Sequence, residues 1–288
     1  MVCRRYVGQR IALATLHGKE RILAKPLWHG LGLSLCHARS VNTDLFGSFS
    51  GERVRTADAP TTCRQKAEAA LQSLDLDLGI ASEGSFGPHP AIPWLPVNEE
   101  WLTFVDRRES LVISEHLLTH TTNLSSCTGD NLESVTPWLQ RIGFPSHAVM
   151  VRAHAPEREA RLAWLAKGID NAHDLAIHIR EGVIRSPLGL AWLETDMRAH
   201  CNPTRRTTIR RLAFRLVRRV ASTCPDCGAP GWGRVATIPG LPCQACGQAT
   251  ALVQWEVNGC QICGTRQDRP RRDGLLKADP MHCLSCNP

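Results

Sequence analysis

Four Cys-x-x-Cys knuckles, Cys224/Cys227, Cys243/Cys246, Cys260/Cys263 and Cys283/Cys286, hold eight of the 13 cysteines of this 288-residue chain and all fall after residue 222. Two thiolates separated by two residues wrap one side of a tetrahedral ion, and two such knuckles complete a closed four-cysteine zinc site. The spacers between knuckles are fifteen, thirteen and nineteen residues, within the zinc-ribbon window when first pairs with second and third with fourth. The expectation is two structural zinc ions in a small tandem zinc-ribbon module, residues 223–288. Sequential pairing is preferred because it closes shorter loops. An interleaved cross-brace, first with third and second with fourth, uses the same residues. Gly228, Gly247 and Gly264 directly follow a second cysteine and suit a turn of positive φ; Asn287 stands there in the fourth knuckle.

Disulfides need an oxidising compartment. The chain opens Met-Val-Cys-Arg-Arg-Tyr without a signal-peptide-like apolar stretch, and no run of about eighteen apolar residues could cross a membrane. The sequence therefore reads as soluble and cytoplasmic, with no membrane partner. A redox pair would be a single knuckle beside a βαβ unit, and an iron–sulfur cluster would bunch its cysteines more closely. The formal charge of +7 could suggest nucleic acid, but seven arginines between 203 and 222 equal the whole excess. The cysteine-rich tail, with six basic and five acidic residues, is nearly neutral.

Residues 1–222 are long enough to bury a core of their own. Strands are expected at Arg10–Thr15, Leu33–Ala38 and Asp77–Ser82. Between them lie a helix-like stretch to Leu31, interrupted at Pro26, and a helix from about Pro60 to Leu74 capped by Thr61 or Thr62. This order predicts an α/β layer architecture. Past a Pro-rich loop at 88–96, Trp101–Asp106 and Leu111–Glu115 form a hairpin, which makes the sheet mixed. Further on, 120–131 reads as loop, Leu132–Ile142 as helix, His147–Arg152 as strand, 157–167 and 172–182 as helices, and Leu188–Leu193 as strand. In the arginine-rich helix that follows, Ile209, Leu212, Ala213, Leu216, Val217 and Val220 form one apolar stripe. Arg211, Arg215 and Arg218 lie on the opposite, solvated side.

Two polar constellations could carry chemistry. Glu194-Thr195-Asp196-Met197-Arg198-Ala199-His200-Cys201-Asn202 leads from a strand into Arg205 and Arg206, the place where open α/β sheets carry ligands. Arg205 and Arg206, in the first helical turn, point toward the interior and suit an anion; the alternative is an ion network with Glu194 and Asp196. The other constellation is Thr15-Leu16-His17-Gly18-Lys19-Glu20 on a strand-to-helix turn, with Lys66 and Glu83 in its company. Cys201 beside His200 is more simply an incidental thiol than a nucleophile.

Thr-x-His-Gly-Lys-Glu, the helix segment Arg64–Ala70 and the strand ending Gly79-Ile80-Ala81-Ser82-Glu83-Gly84 resemble the front half of the inosine/xanthosine triphosphate pyrophosphatases. That resemblance implies inosine-triphosphatase-like layers, phosphate held after the first strand and a magnesium-binding acid on the third. His17 stands where that family has Asn, and Lys19 comes one position early. Over its whole length the chain is similar to an uncharacterised bacterial family that joins an α/β domain bearing Glu83–Pro90 and Glu194–Arg205 to a four-knuckle tail. This second likeness implies no activity.

Two functions are expected in competition. One is a magnesium-dependent phosphohydrolase of a nucleotide or related phosphorylated small molecule. Thr15, His17, Lys19, Arg198, Asn202, Arg205 and Arg206 would hold the ligand, and Glu83, Glu194, Asp196 and His200 would supply metal binding and acid–base groups. The other is a non-enzymatic zinc-ribbon adaptor that binds nucleic acid or a protein partner through the tail and the arginine helix.

Overall fold

Alternation along the first strand sets the layers of the N-terminal part. In β1 (Arg10–Leu13) Ile11 and Leu13 face one side and Ala12 the other, all buried. The computed structural model describes residues 4–47, 55–156 and 163–288. By internal contacts the chain divides into Met1–Leu216 and Val217–Pro288.

In the first unit β1, α1 (Glu20–Leu31), β2 (Ser34–His37), α2 (Ala59–Leu74) and β3 (Leu78–His89) follow in order, then β4 (Ile92–Asp106) and β5 (Leu111–Thr119). They build a mixed sheet of order β2-β1-β3-β4-β5, in which β2, β1 and β3 run parallel and β3, β4 and β5 antiparallel. The face of Ala12, Ala81 and Val105 packs on Ala67, Ala70 and Leu71 of α2. Small residues let that helix sit close. A Cβ on Gly79 would lie 2.8 Å from Leu71 and 3.1 Å from the Ala67 carbonyl. The N-cap of α2 is Asp58, whose carboxylate accepts from the Thr61 N–H at 2.9 Å, rather than Thr61 or Thr62 itself. Helix α1 runs unbroken through Pro26. The lost N–H costs about 3 kcal/mol, and the buried face of Ile22, Leu23, Leu27 and Leu31 outweighs it.

The expected Pro-rich loop is instead the tip of a long hairpin. β3 and β4 pair from Leu78↔Asp106 to His89↔Ile92, with Pro88 opposite Pro96. Beyond Ile80 the strand has left β1, and before Asn98 its partner has not yet met β5. The prolines therefore sit where one edge carries no ladder. The expected hairpin around Arg107–Ser110 is present, with Asp106 opposite Leu111.

A second sheet, antiparallel and of order β6-β9-β7-β8, comprises β6 (Ser126–Gly129), β7 (Val149–Ala153), β8 (Trp164–Ile169) and β9 (Ala191–Thr195). Helices α3 (Leu132–Ile142) and α4 (Ala172–Arg185) bury Val135, Trp138, Leu139, Leu175 and Ile179 with its strands. Two expectations fail here. Ser126–Gly129, read as loop, pairs with β9 through Ser126↔Glu194 to Gly129↔Ala191. Of the expected helix 157–167, residues 157–162 lie outside the described residues and Trp164 onward is strand. The fold is mixed α/β with a mixed sheet, as expected, but a second, antiparallel sheet stands beside it.

Helix α5 (Pro203–Ala221) buries its apolar stripe from Ile209 to Val220 and exposes Arg211, Arg215 and Arg218. In the second unit β10 (Gly233–Pro239), β11 (Val253–Gly259) and β12 (Arg266–Pro270) form an antiparallel sheet of order β10-β11-β12.

Candidate functional site

The strands of the second unit decide how the knuckles pair. Gly233, just past the first knuckle, stands opposite Gly259, just before the third, while the second knuckle lies beyond the far end of this hairpin. Cys243 bridges to Ala278, near the fourth. The thiols accordingly gather as Cys224, Cys227, Cys260 and Cys263 and as Cys243, Cys246, Cys283 and Cys286. This is the cross-brace, not the sequential tandem ribbon. Loop closure favours the shorter loops by only about 0.6 kcal/mol per doubling of length, too little against two strand ladders.

Each tetrad has the dimensions of a zinc site. A Zn–S bond of about 2.3 Å in a tetrahedron puts sulfurs roughly 3.8 Å apart. Here Cys224–Cys263 and Cys227–Cys260 are 3.7 Å apart, Cys246–Cys283 3.6 Å and Cys243–Cys286 3.9 Å. The knuckle turns close through N–H donors of Gly228, Gly247 and Gly264 to Cys224, Cys243 and Cys260 carbonyls at 3.0, 3.0 and 3.2 Å. All three glycines have φ between 72° and 76°. Asn287 departs from the expectation: it is not among the residues of positive φ, and its side chain donates to the Met281 carbonyl at 3.1 Å. Four sulfurs in each tetrad could hold a metal ion with no coordination position left open.

The polar groups of the first unit converge elsewhere, in a crevice of about 240 Å³ at the carboxyl ends of β1 and β2 and beside the middle of β3, at Ser82–Phe86, where β3 has run past the end of β1. The sheet order places a topological switch point here, where open α/β sheets bind ligands. Thr15, His17, Lys19, Glu83, Glu194 and Arg205 all line it, together with Arg55, Lys66 and Asp44. The two constellations singled out in the sequence thus meet in space.

Lys19 is the N-terminal boundary of α1, 8 % exposed, and its ammonium donates to the Ser82 carbonyl at 3.1 Å. Burial pulls its pKa down to about 8, repulsion from Arg205 adds to this, and Glu100 and Glu83 oppose it. Ser82, also buried, lines the crevice, and its hydroxyl finds no partner among the described residues. His17 is held neutral: burial, then Lys19 and Arg205, bring it to about 3. Its ring stacks on His200, centroids 5.4 Å apart.

Other expected residues are engaged in holding the site together. Glu83 is clamped by Lys66 at 2.5 Å and Arg55 at 3.1 Å. Asp196, fully buried and outside the crevice wall, is bracketed by the Arg198 guanidinium at 2.5–3.0 Å, which removes both from ligand duty. Asn202 caps α5 by accepting from the Arg205 N–H at 2.9 Å and donates to Asn123 at 2.8 Å. Arg206 donates to the His200 carbonyl at 2.9 Å and the Ala199 carbonyl at 3.3 Å, and neither Arg206 nor His200 lines the crevice.

Arg205 reaches the interior as expected, but an acid that sequence reading passed over receives it. Its Nε donates to Glu100 at 2.6 Å and its Nη1 to the Met197 carbonyl at 2.7 Å, while Phe86 lies 5.2 Å beneath the guanidinium. Gly84 makes room for this pair: a Cβ there would collide with the guanidinium and stand 2.6 Å from the Glu100 carboxylate. The signal was present in β4, where Asn98, Glu100, Leu102 and Phe104 share one buried face at period two.

The profile of the family "Domain of unknown function (DUF6671)" matches residues 66–288, more than half of the chain. Thr15, His17 and Lys19 precede the matched segment. Neither a curated protein nor a solved structure matches.

Proposed function

The chain belongs to the DUF6671 family, and we propose that its first unit binds a phosphorylated small molecule in the crevice at the switch point of the mixed sheet, while the second unit is built around two zinc ions. One observation carries the reading. Lys19 Nζ reaches the Ser82 carbonyl where α1 begins, and both residues line the crevice, Ser82 with a buried hydroxyl that has no partner among the described residues, so a buried cation, a spare donor and the positive end of a helix dipole belong to one small site. A phosphate satisfies all three. A polynucleotide duplex does not enter a space of about 240 Å³.

Hydrolysis is the finer form of the reading. Among the expected acids Glu194 supports it best: it lines the crevice, makes no ion pair among the described residues, and burial raises its pKa. Such a carboxyl suits a general base or a magnesium ligand. Glu83 would act only on release from Lys66 and Arg55. The resemblance of Thr15–Glu20 to the triphosphate pyrophosphatases makes nucleoside triphosphates the first substrates to try.

The test is a panel of canonical and deaminated nucleoside triphosphates and simple phosphate esters with Mg²⁺, read by phosphate release and by thermal shift. The proposal expects at least one compound to raise the melting temperature in the wild type but not in Lys19→Met. No shift with any compound overturns the binding reading. A shift without phosphate release, or release undiminished in Glu194→Gln, removes hydrolysis alone.

A further inference from the structure

Asp44 is an acid of the crevice that phosphate binding leaves without a task. It lies in the 3-10 turn Thr43–Phe46 after β2, and Asn42 fixes that turn by accepting from the Asp44 N–H at 3.0 Å. Its carboxylate takes no hydrogen bond and no ion pair among the described residues, although it lines the same crevice as Lys19, Arg55 and Arg205. By contrast, Glu83 is held by Lys66 and Arg55, and Glu100 by Arg205.

Strands β1 and β2 are parallel neighbours, with Leu13 opposite His37. Adjacent strands lie about 4.8 Å apart, so the turns leaving them emerge side by side. One turn presents Lys19 and the start of α1; the other presents Asp44. A carboxylate has two acceptor oxygens and no proton to give, which matches a pair of neighbouring hydroxyls. In parallel sheets whose first helix receives a phosphate, an acid after the second strand is placed to accept from the sugar that carries it. Ser82 is an independent feature of the same crevice, a buried lining residue whose hydroxyl has no partner among the described residues.

Resting on the phosphate reading, the geometry points to a sugar phosphate as the ligand, with Lys19 and the α1 N-terminus on the phosphate and Asp44 accepting from the hydroxyls of a ribose. The ribose 5-phosphate unit can come from a free sugar phosphate or from a nucleotide.

Isothermal titration of the full chain with inorganic phosphate, ribose 5-phosphate, 2-deoxyribose 5-phosphate and AMP decides the matter. A hydrogen bond to a charged group is worth about 1.5–3 kcal/mol, so ribose 5-phosphate binds at least about tenfold more tightly than its deoxy analogue. In Asp44→Ala, which loses no hydrogen bond or ion pair and only a longer-range attraction to Arg198, the ratio falls toward one. AMP binding more tightly than ribose 5-phosphate assigns the sugar to a nucleotide, and the reverse order assigns a free sugar phosphate. Equal affinity for the two sugars, with inorganic phosphate still bound, overturns the sugar assignment and leaves the phosphate reading standing. No binding of any of the four compounds overturns both.

Discussion

Arg205 donates through Nε to the Glu100 carboxylate at 2.6 Å, with neither side chain more than 2 % exposed. The contact joins the start of α5 to the inner face of β4 across 105 residues of sequence, and Arg205 lines the crevice. Breaking a buried pair by removing one partner leaves an uncompensated charge and costs about 3–5 kcal/mol. Glu100→Leu and Arg205→Met are each expected to lower stability by that order in chemical denaturation. The double variant recovers most of the loss, and Gly84→Ala destabilises because its methyl group occupies the space of the pair.

Lys19 links stability and binding to pH in opposite directions. Its folded pKa, about 8, lies below the unfolded value of 10.5. The unfolded chain therefore holds more protons between these values, and stability rises with pH across that window. The contribution is fully present above about 10.5 and lost as pH falls through about 8. Anion binding runs the other way, since the neutral amine attracts no anion. With sulfate, which does not titrate here, affinity measured by calorimetry declines once pH rises above about 8, and Lys19→Arg removes the decline.

His17 gives an acid-side counterpart. Its pKa falls from 6.5 to about 3 on folding, so the unfolded chain takes up the proton first. Stability is full above about 6.5 and declines as pH falls toward 3. Proton NMR of the His17 ring in the native protein is expected to stay flat from pH 8 to pH 5, and His17→Asn to soften acid unfolding.

The cross-brace makes a prediction that sequential pairing does not share. Cys224→Ser with Cys260→Ser damages one tetrad and leaves one zinc per chain by elemental analysis. Cys224→Ser with Cys243→Ser damages both tetrads and leaves none. Sequential sites would give the reverse assignment.

What the sequence disclosed depended on the range of the signal. Leu132–Ile142 was legible to the residue because its cues are local: the Asn131/Ser134 capping box at one end and Gly143 at φ 83° at the other. The eight cysteines of the two tetrads were equally plain, since two-residue spacing is what a metal-wrapping knuckle requires. Their pairing was hidden, because it is set by the register of β10 on β11, a contact between segments about twenty residues apart. Ser126–Gly129 reads as loop by composition and becomes strand only because β9 offers an edge. In the crevice, Lys19, Glu83, Glu194 and Arg205 were nameable by residue type and by place in a strand-to-helix turn, a strand or a first helical turn, although the strand expected to end at Ser82 runs on to His89 and holds Glu83 within it. That Glu100 would absorb Arg205, and Arg198 would absorb Asp196, is a matter of tertiary geometry.

The central claim is that a phosphate group enters the crevice at Lys19. Titrating inorganic phosphate into isotope-labelled protein and following the backbone amides tests it most directly. The account predicts saturable shifts concentrated at Gly18, Lys19, Glu20 and Ser82 and abolished in Lys19→Met. Shifts confined to the exposed arginines of α5 or to the cysteine-rich unit, with Gly18–Glu20 unmoved, would contradict it.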